Sequence, residues 1–237
     1  MKHLFFCYIF AENFDMKVEF DNEIKEKVPW LKVLVVEATI KNRPTDDAVE
    51  QLLARTERDI AATVALDQIK QRPGIAATRD AYKRCGKDPN RYRPSSEALC
   101  RRIVRGLGLY RVDAAVDVIN VLSIMTGYSI GGFDIDKIDG DTITLGIGRE
   151  GEPYTAIGRG ELNIAGLPVF RDATGGIGTP TSDNERTKLD VDSRRLLLTI
   201  NLYGPEMSVD ETASLTRSLL EQFLEATDIN FQIASPL

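Results

Sequence analysis

The stretch RVDAAVDVINVLSIMTGYSIGGFD, residues 111–134, most constrains what this chain can fold into. Its first part is aliphatic on nearly every face, so a helix built from it must be enclosed by the rest of the protein. Asp113, Asp117 and Asn120 interrupt that greasiness at i, i+4 and i+7, along one helical stripe. Asp113 stands in the first turn, where a carboxylate favours the helix dipole. Asn120 lies mid-helix, where an amide is a poor helix former and needs another reason to be present. Ser123 follows on the same side, the helix closes at Gly127, and the segment ends in Gly131-Gly132-Phe133-Asp134.

Elements of both kinds flank this helix. KVEF and KVLVVEATI (32–40) are β-branched runs bounded by polar residues and predict strands. Pro44-Thr45-Asp46-Asp47 predicts a helix start with a hydroxyl N-cap, and Val49, Leu52, Leu53, Ile60 and Val64 carry that helix to about Leu66. Pro73-Gly74 breaks the chain before a second helix through IAATRDAYKRCG. Ser95 or Ser96 caps a basic helix ending near Gly106 and Gly108. Beyond Gly127 the period switches, and DTITLGIG, LPVFRDA and RRLLLTINLYG read as strands. Ser208-Val-Asp-Glu211 is a capping box for an amphipathic helix to about Thr227, followed by a short strand in INFQI. The expectation is one α/β (α+β mixed) domain over residues 16–234, its helix-rich first half packed on mixed β-sheets of the second half. Residues 1–15 are read as an extension, since Met16 opens the first strand-like pattern and no small-residue cleavage site follows LFFCYIFA.

With 43% hydrophobic and 28% charged residues, the 237-residue chain has an ordinary globular composition. No apolar run approaches the length that crosses a bilayer. The three cysteines share no metal-ligand spacing and make no even set for disulfides, which points to a reducing, cytoplasmic setting. The single histidine, His3, falls in the extension. Ser-His-Asp and Cys-His units, and histidine-bearing zinc sites, are therefore excluded. No GxxxxGK[ST] or well-placed GxGxxG loop is present either, so no cofactor and no metal is expected. Catalysis, if any, must draw on carboxylates, hydroxyls, amides or the substrate itself.

The net charge of −6 hides a strong asymmetry. Ten basic residues between Arg79 and Arg111 face three acidic ones, giving that segment +7 while the remainder carries −13. Lys83, Arg84, Lys87, Arg91, Arg93, Arg101, Arg102 and Arg105 are the candidate phosphate contacts. A solvated helical face is the competing explanation, and charge pattern alone leaves both open. Three polar or glycine-rich spots are candidates for a site: Asp117, Asn120 and Ser123 with Gly131, Gly132 and Asp134; Arg171 and Asp172 with the glycines after them; and Thr181, Ser182 and Asp183. Backbone amides at the glycines could polarise a carbonyl, and an asparagine could orient an ammonium, a hydroxyl or a water.

The residues RYRPSSEALCRRIVRGLGLYRVDAAVDVINVLSIMTGYSIGGFDIDKIDGDTITL, with VFRDATGG and TSDNERTK, resemble the B3/B4 domain of the phenylalanyl-tRNA synthetase beta chain, and more closely the free-standing proteins built around it. VDVINVLS…G…FD with DKIDGD is the most specific part. The resemblance implies tRNA as partner and hydrolysis of the ester of mischarged aminoacyl-tRNA by a separate protein; no ATP-binding ligase domain is present. It places Asn120 at the asparagine beside the bound amino acid. Gly131 stands where the bacterial motif has a histidine, and Thr199 near a glutamate of that site, so substrate and hydrolytic efficiency need not carry over. A binding module without chemistry, and a small-molecule hydrolase reusing the fold, are the alternatives.

Overall fold

The computed structural model describes residues 14–236. Residues 1–13, and with them His3, Cys7 and most of the proposed extension, lie outside the described residues. Chain order is β1 (Lys17–Phe20), α1 (Asn22–Lys27), β2 (Lys32–Thr39), α2 (Asp47–Thr63), α3 (Pro73–Cys85), α4 (Ser95–Val104), α5 (Ala114–Thr126), β3 (Ile130–Asp134), β4 (Thr142–Ile147), β5 (Thr155–Ala156), β6 (Gly160–Glu161), β7 (Pro168–Arg171), β8 (Gly176–Gly178), β9 (Arg195–Leu202), α6 (Val209–Leu224) and β10 (Thr227–Ala234). The class is α/β, as the period switch implied.

Three layers stack. The inner sheet has the order β10-β2-β9-β3 and is antiparallel throughout. The outer sheet has the order β1-β4-β7-β8, with β1 parallel to β4 and the other pairs antiparallel. Side chains alternate across a strand, so β2 and β9 each feed two cores. Leu34, Val36, Leu196, Leu198 and Ile200 pack beneath residues of α2, α4, α5 and α6. Val33, Val35, Leu197 and Tyr203 face Ile143, Leu145, Phe170 and Ile177 of the outer sheet. Coverage on both faces explains why β2 reads as nearly continuous apolar sequence. It also modifies the expected division between halves: β2 comes from the first half yet runs through the middle of the inner sheet, and α6 comes from the second half yet completes the helical layer.

Local differences from the sequence expectation have simple causes. Asp46, not a hydroxyl, caps α2 by accepting from Val49 N, because Thr45 Oγ1 is donated to Asp117 instead. Pro73 occupies the first turn of α3 rather than a break before it, the position where its missing N–H costs nothing. Pro94 rather than a serine precedes α4. The capping box at Ser208 and Glu211 is present in full. Among the described residues, no helix is long and apolar enough to cross a membrane.

Candidate active site

Helix α5 is enclosed by α2, α4 and α6, with its start capped by Asp113, whose side chain accepts from Val116 N, and its end turned by Gly127 in a left-handed conformation. Nearly all its side chains are buried, but Asn120 is half-exposed, and its amide has no hydrogen-bond partner among the described residues. It stands on the wall of a cleft of about 840 Å³. Helix α4 and the loop after it form one side, Ile119, Asn120 and Ser123 of α5 the back, and the segments 157–159 and 179–183 the other side.

The 179–183 segment is pinned from within. Thr179 Oγ1 accepts from Thr181 N and Ser182 N, and Tyr154 Oη donates to the Ser182 carbonyl at 2.7 Å. Thr181 Oγ1 shares a 2.8 Å hydrogen bond with the buried Tyr82 hydroxyl. This rigid turn presents Asp183 to the cleft. Gly132 N donates to Asp183 Oδ2 at 3.1 Å, and the carboxyl forms no ion pair among the described residues. Burial by the surrounding walls pushes its pKa up to about 7, and the Gly132 amide only partly opposes that. A carboxyl without an ion pair and an amide without a hydrogen-bond partner among the described residues thus line the same cleft.

Cationic side chains rim the same cleft. Arg91, Arg93, Arg101, Arg102, Arg105 and Arg159 all line it. Glu97, wholly buried beneath them, accepts from Arg79 Nη1 at 2.8 Å and from Arg101 Nε at 2.7 Å, with Arg93 at 3.8 Å. One carboxylate thus fixes the root of the cluster. Arg91, Arg105 and Arg159 have no carboxylate partner among the described residues, so their charge is available to an anion. Arg159 was not singled out from the sequence. Its signal was the AIGRGE hairpin tip, where Gly158 and Gly160 adopt positive φ and project the arginine between them.

Several sequence candidates lie elsewhere. Asp117 is wholly buried and accepts from Thr45 Oγ1 at 2.6 Å and Val112 N at 3.2 Å, so it fastens the α2 and α5 starts; burial raises its pKa. Asp134 accepts from Ser193 Oγ at 2.7 Å and Asp136 N at 3.1 Å. Arg171 is committed to Glu152, and Asp172 to Arg186 and the Asp139, Thr174 and Gly175 amides. Burial works against the Asp172 carboxylate, yet these donors hold it below its usual range. Lys87 donates to two carbonyls, Asn163 and Ala165, and Arg84 stacks on Trp30; neither they nor Lys83 line the cleft. Ser123 does line it, but its hydroxyl is donated to the Tyr128 carbonyl at 2.6 Å. The glycine amides are not free either, since Gly132 N–H goes to Asp183 and Gly175 N–H to Asp172.

Gly131 is closed to a side chain. A Cβ there would lie 2.6 Å from Phe133 Cζ and 2.7 Å from Thr199 Oγ1. The Phe133 ring also abuts Gly178, whose Cβ position is 2.4 Å from the same atom. The buried phenyl thus fills the space between the two glycines, and the Thr199 hydroxyl behind it is buried without a partner.

Residues 77–218 match the family model described as the B3/4 domain. The chain belongs to the B3/4 family. The matched segment of this B3/4 protein contains α4, α5, β3, the 157–159 tip and the 179–183 turn, and hence every wall of the cleft. No curated protein sequence matches the chain. Among solved structures, an N-terminal fragment of the phenylalanyl-tRNA synthetase beta-subunit from Pyrococcus horikoshii is similar, with 12% identity and a TM-score of 0.47. The match covers 93% of this chain and 51% of that one, so this chain spans about half the length of that fragment.

Proposed function

We propose that this B3/4 protein binds the acceptor end of an aminoacyl-tRNA and hydrolyses its ester. The observation that carries the reading is the placement, in one cleft, of an Asn120 amide without a hydrogen-bond partner and an Asp183 carboxyl without an ion pair, beneath a rim that holds arginines without carboxylate partners among the described residues. The arginines receive backbone phosphates, an attraction that weakens steeply with salt. Asp183, when ionised, receives the α-ammonium of the esterified amino acid. The Asn120 side-chain N–H donates to the ester carbonyl oxygen and to the oxyanion that develops there, since the Gly132 and Gly175 amides are engaged within the fold. Ser182, half-buried on the cleft wall, orients the water. Water attacks the carbonyl carbon, the C–O ester bond breaks, and the departing ribose oxygen takes up the proton that the water gives up. The products are a free amino acid and a free terminal hydroxyl. An aminoacyl ester is already activated, so positioning and charge stabilisation suffice without an imidazole.

The alternative, a module that holds the same end without chemistry, is favoured by one observation: the Phe133 ring fills the space beside Gly131, where the synthetase motif has its histidine. Incubation of the protein with a panel of correctly and wrongly charged tRNAs separates the readings. Loss of the ester from one charged species, abolished by Asn120→Ala, supports the hydrolase; binding without loss supports the module.

A further inference from the structure

The loop joining α4 to α5 is unusual in showing three large apolar side chains to solvent: Leu107 is 60% exposed, Tyr110 66% and Val112 57%. All three line the cleft. Tyr110 is not loose. The Arg102 guanidinium lies 3.7 Å from the centroid of its ring, and Arg102 Nη1 donates to the Tyr110 hydroxyl at 3.0 Å. One face of the ring is thereby held by a cation while most of the residue remains uncovered. Arg105, at the start of the same loop and without a carboxylate partner among the described residues, lines the cleft as well.

A fixed aromatic plate in a cleft that also holds phosphate-competent arginines is an arrangement suited to an unpaired nucleotide: the base stacks on the ring and a phosphate meets a guanidinium. The size of the cleft agrees, since about 840 Å³ is near the top of the ~300–1,000 Å³ range of small-molecule sites and leaves room beyond the Asn120–Asp183 recess. We infer that Tyr110, backed by Arg102, is a stacking platform for one unpaired base of the single-stranded 3′ end, with Leu107 and Val112 flanking it. The inference rests on the tRNA reading above and deepens it: single-strandedness is recognised by Tyr110, and the ester is handled separately at Asn120.

The test uses two uncharged RNA hairpins of equal length in paired bases, one blunt and one with a four-nucleotide 3′ tail carrying 2-aminopurine. The wild-type protein is expected to bind the tailed hairpin more tightly and to quench the 2-aminopurine fluorescence. Tyr110→Ala should weaken tailed binding about tenfold and abolish the quenching, in line with the stacking loss of a single base, while leaving blunt binding unchanged. Tyr110→Phe should behave as wild type, since the ring and not the hydroxyl does the stacking. Equal affinity for the two hairpins, absence of RNA binding, or unaltered quenching in Tyr110→Ala would each overturn the platform. Tyr110-dependent tail binding with no ester hydrolysis would leave the platform standing and remove only the hydrolase reading.

Discussion

The Gly132 backbone amide and the Asp183 carboxylate meet at 3.1 Å, joining the edge strand of the inner sheet to the turn that closes the cleft. That single neutral donor does not offset the burial of the carboxyl, which is why its pKa stands at about 7. In the proposed function, the remaining capacity of Asp183 is taken up by the α-ammonium of the substrate.

A pH profile follows. Ammonium capture requires ionised Asp183, so kcat/KM for ester hydrolysis should rise as pH rises through about 7. It should fall again as the substrate amine loses its proton, near the ~7.7–8.0 typical of α-amino groups. Asp183→Asn should remove the acidic limb. The stability effect has the opposite sense. The folded-state pKa exceeds the unfolded value of 3.8, so the stabilising contribution of the protonated carboxyl is full below about 4 and is lost as pH rises through about 7. Urea unfolding across that window should show wild type losing stability relative to Asp183→Asn.

Restoring the synthetase histidine should fail. In Gly131→His the first side-chain carbon already collides with Phe133 and Thr199, and forcing extra atoms into a packed site costs roughly 1–3 kcal/mol or more. Thermal unfolding of Gly131→His should show that loss without a gain in hydrolysis. In the Gly131→His/Phe133→Ala double variant, removal of the ring should relieve part of the strain, so the two changes should be non-additive.

Glu97 anchors the arginine cluster from below. Glu97→Ala leaves Arg79 and Arg101, both mostly buried, without their carboxylate. Breaking a buried pair from one side costs roughly 3–5 kcal/mol. Denaturant unfolding should report a loss of that order, and RNA affinity should fall because the rim loses its geometry.

Arginine substitutions should sort by position rather than by charge. Arg105→Ala and Arg159→Ala should each reduce the slope of log K against log salt for RNA binding by about one. Lys83→Ala and Arg84→Ala, away from the cleft, should leave it unchanged.

The helical stripe on α5, the capping box at Ser208 and the strands β2, β4, β7 and β9 were legible because their patterns are local. Strand β3 was not, since a double glycine is depleted in strands and shows no alternation; its pairing with β9 supplies what its own sequence lacks. The site divided along the same line. Asn120 stood out as a mid-helix amide and Asp183 as part of a segment dense in hydroxyls and charge; in the cleft the amide has no hydrogen-bond partner and the carboxyl no ion pair among the described residues. Asp117, Arg171 and Asp172 stood out equally, but their partners Thr45, Glu152 and Arg186 are distant in sequence or carry no local pattern, so spacing could not reveal that they were already satisfied. Arg159 was hidden outside the basic strip, brought to the cleft by a hairpin.

The central claim is that Asn120 and Asp183 act together on an aminoacyl ester in this cleft. Its most direct measurement is single-turnover deacylation of a charged-tRNA panel by wild type, Asn120→Ala and Asp183→Asn, with RNA affinity measured alongside. The expected result is ester loss from at least one charged species at neutral pH, slowed about a hundredfold or more in Asn120→Ala with RNA affinity retained. Ester loss that proceeds in both variants as fast as in the wild type, or tight RNA binding with every ester intact in the wild type, would contradict it.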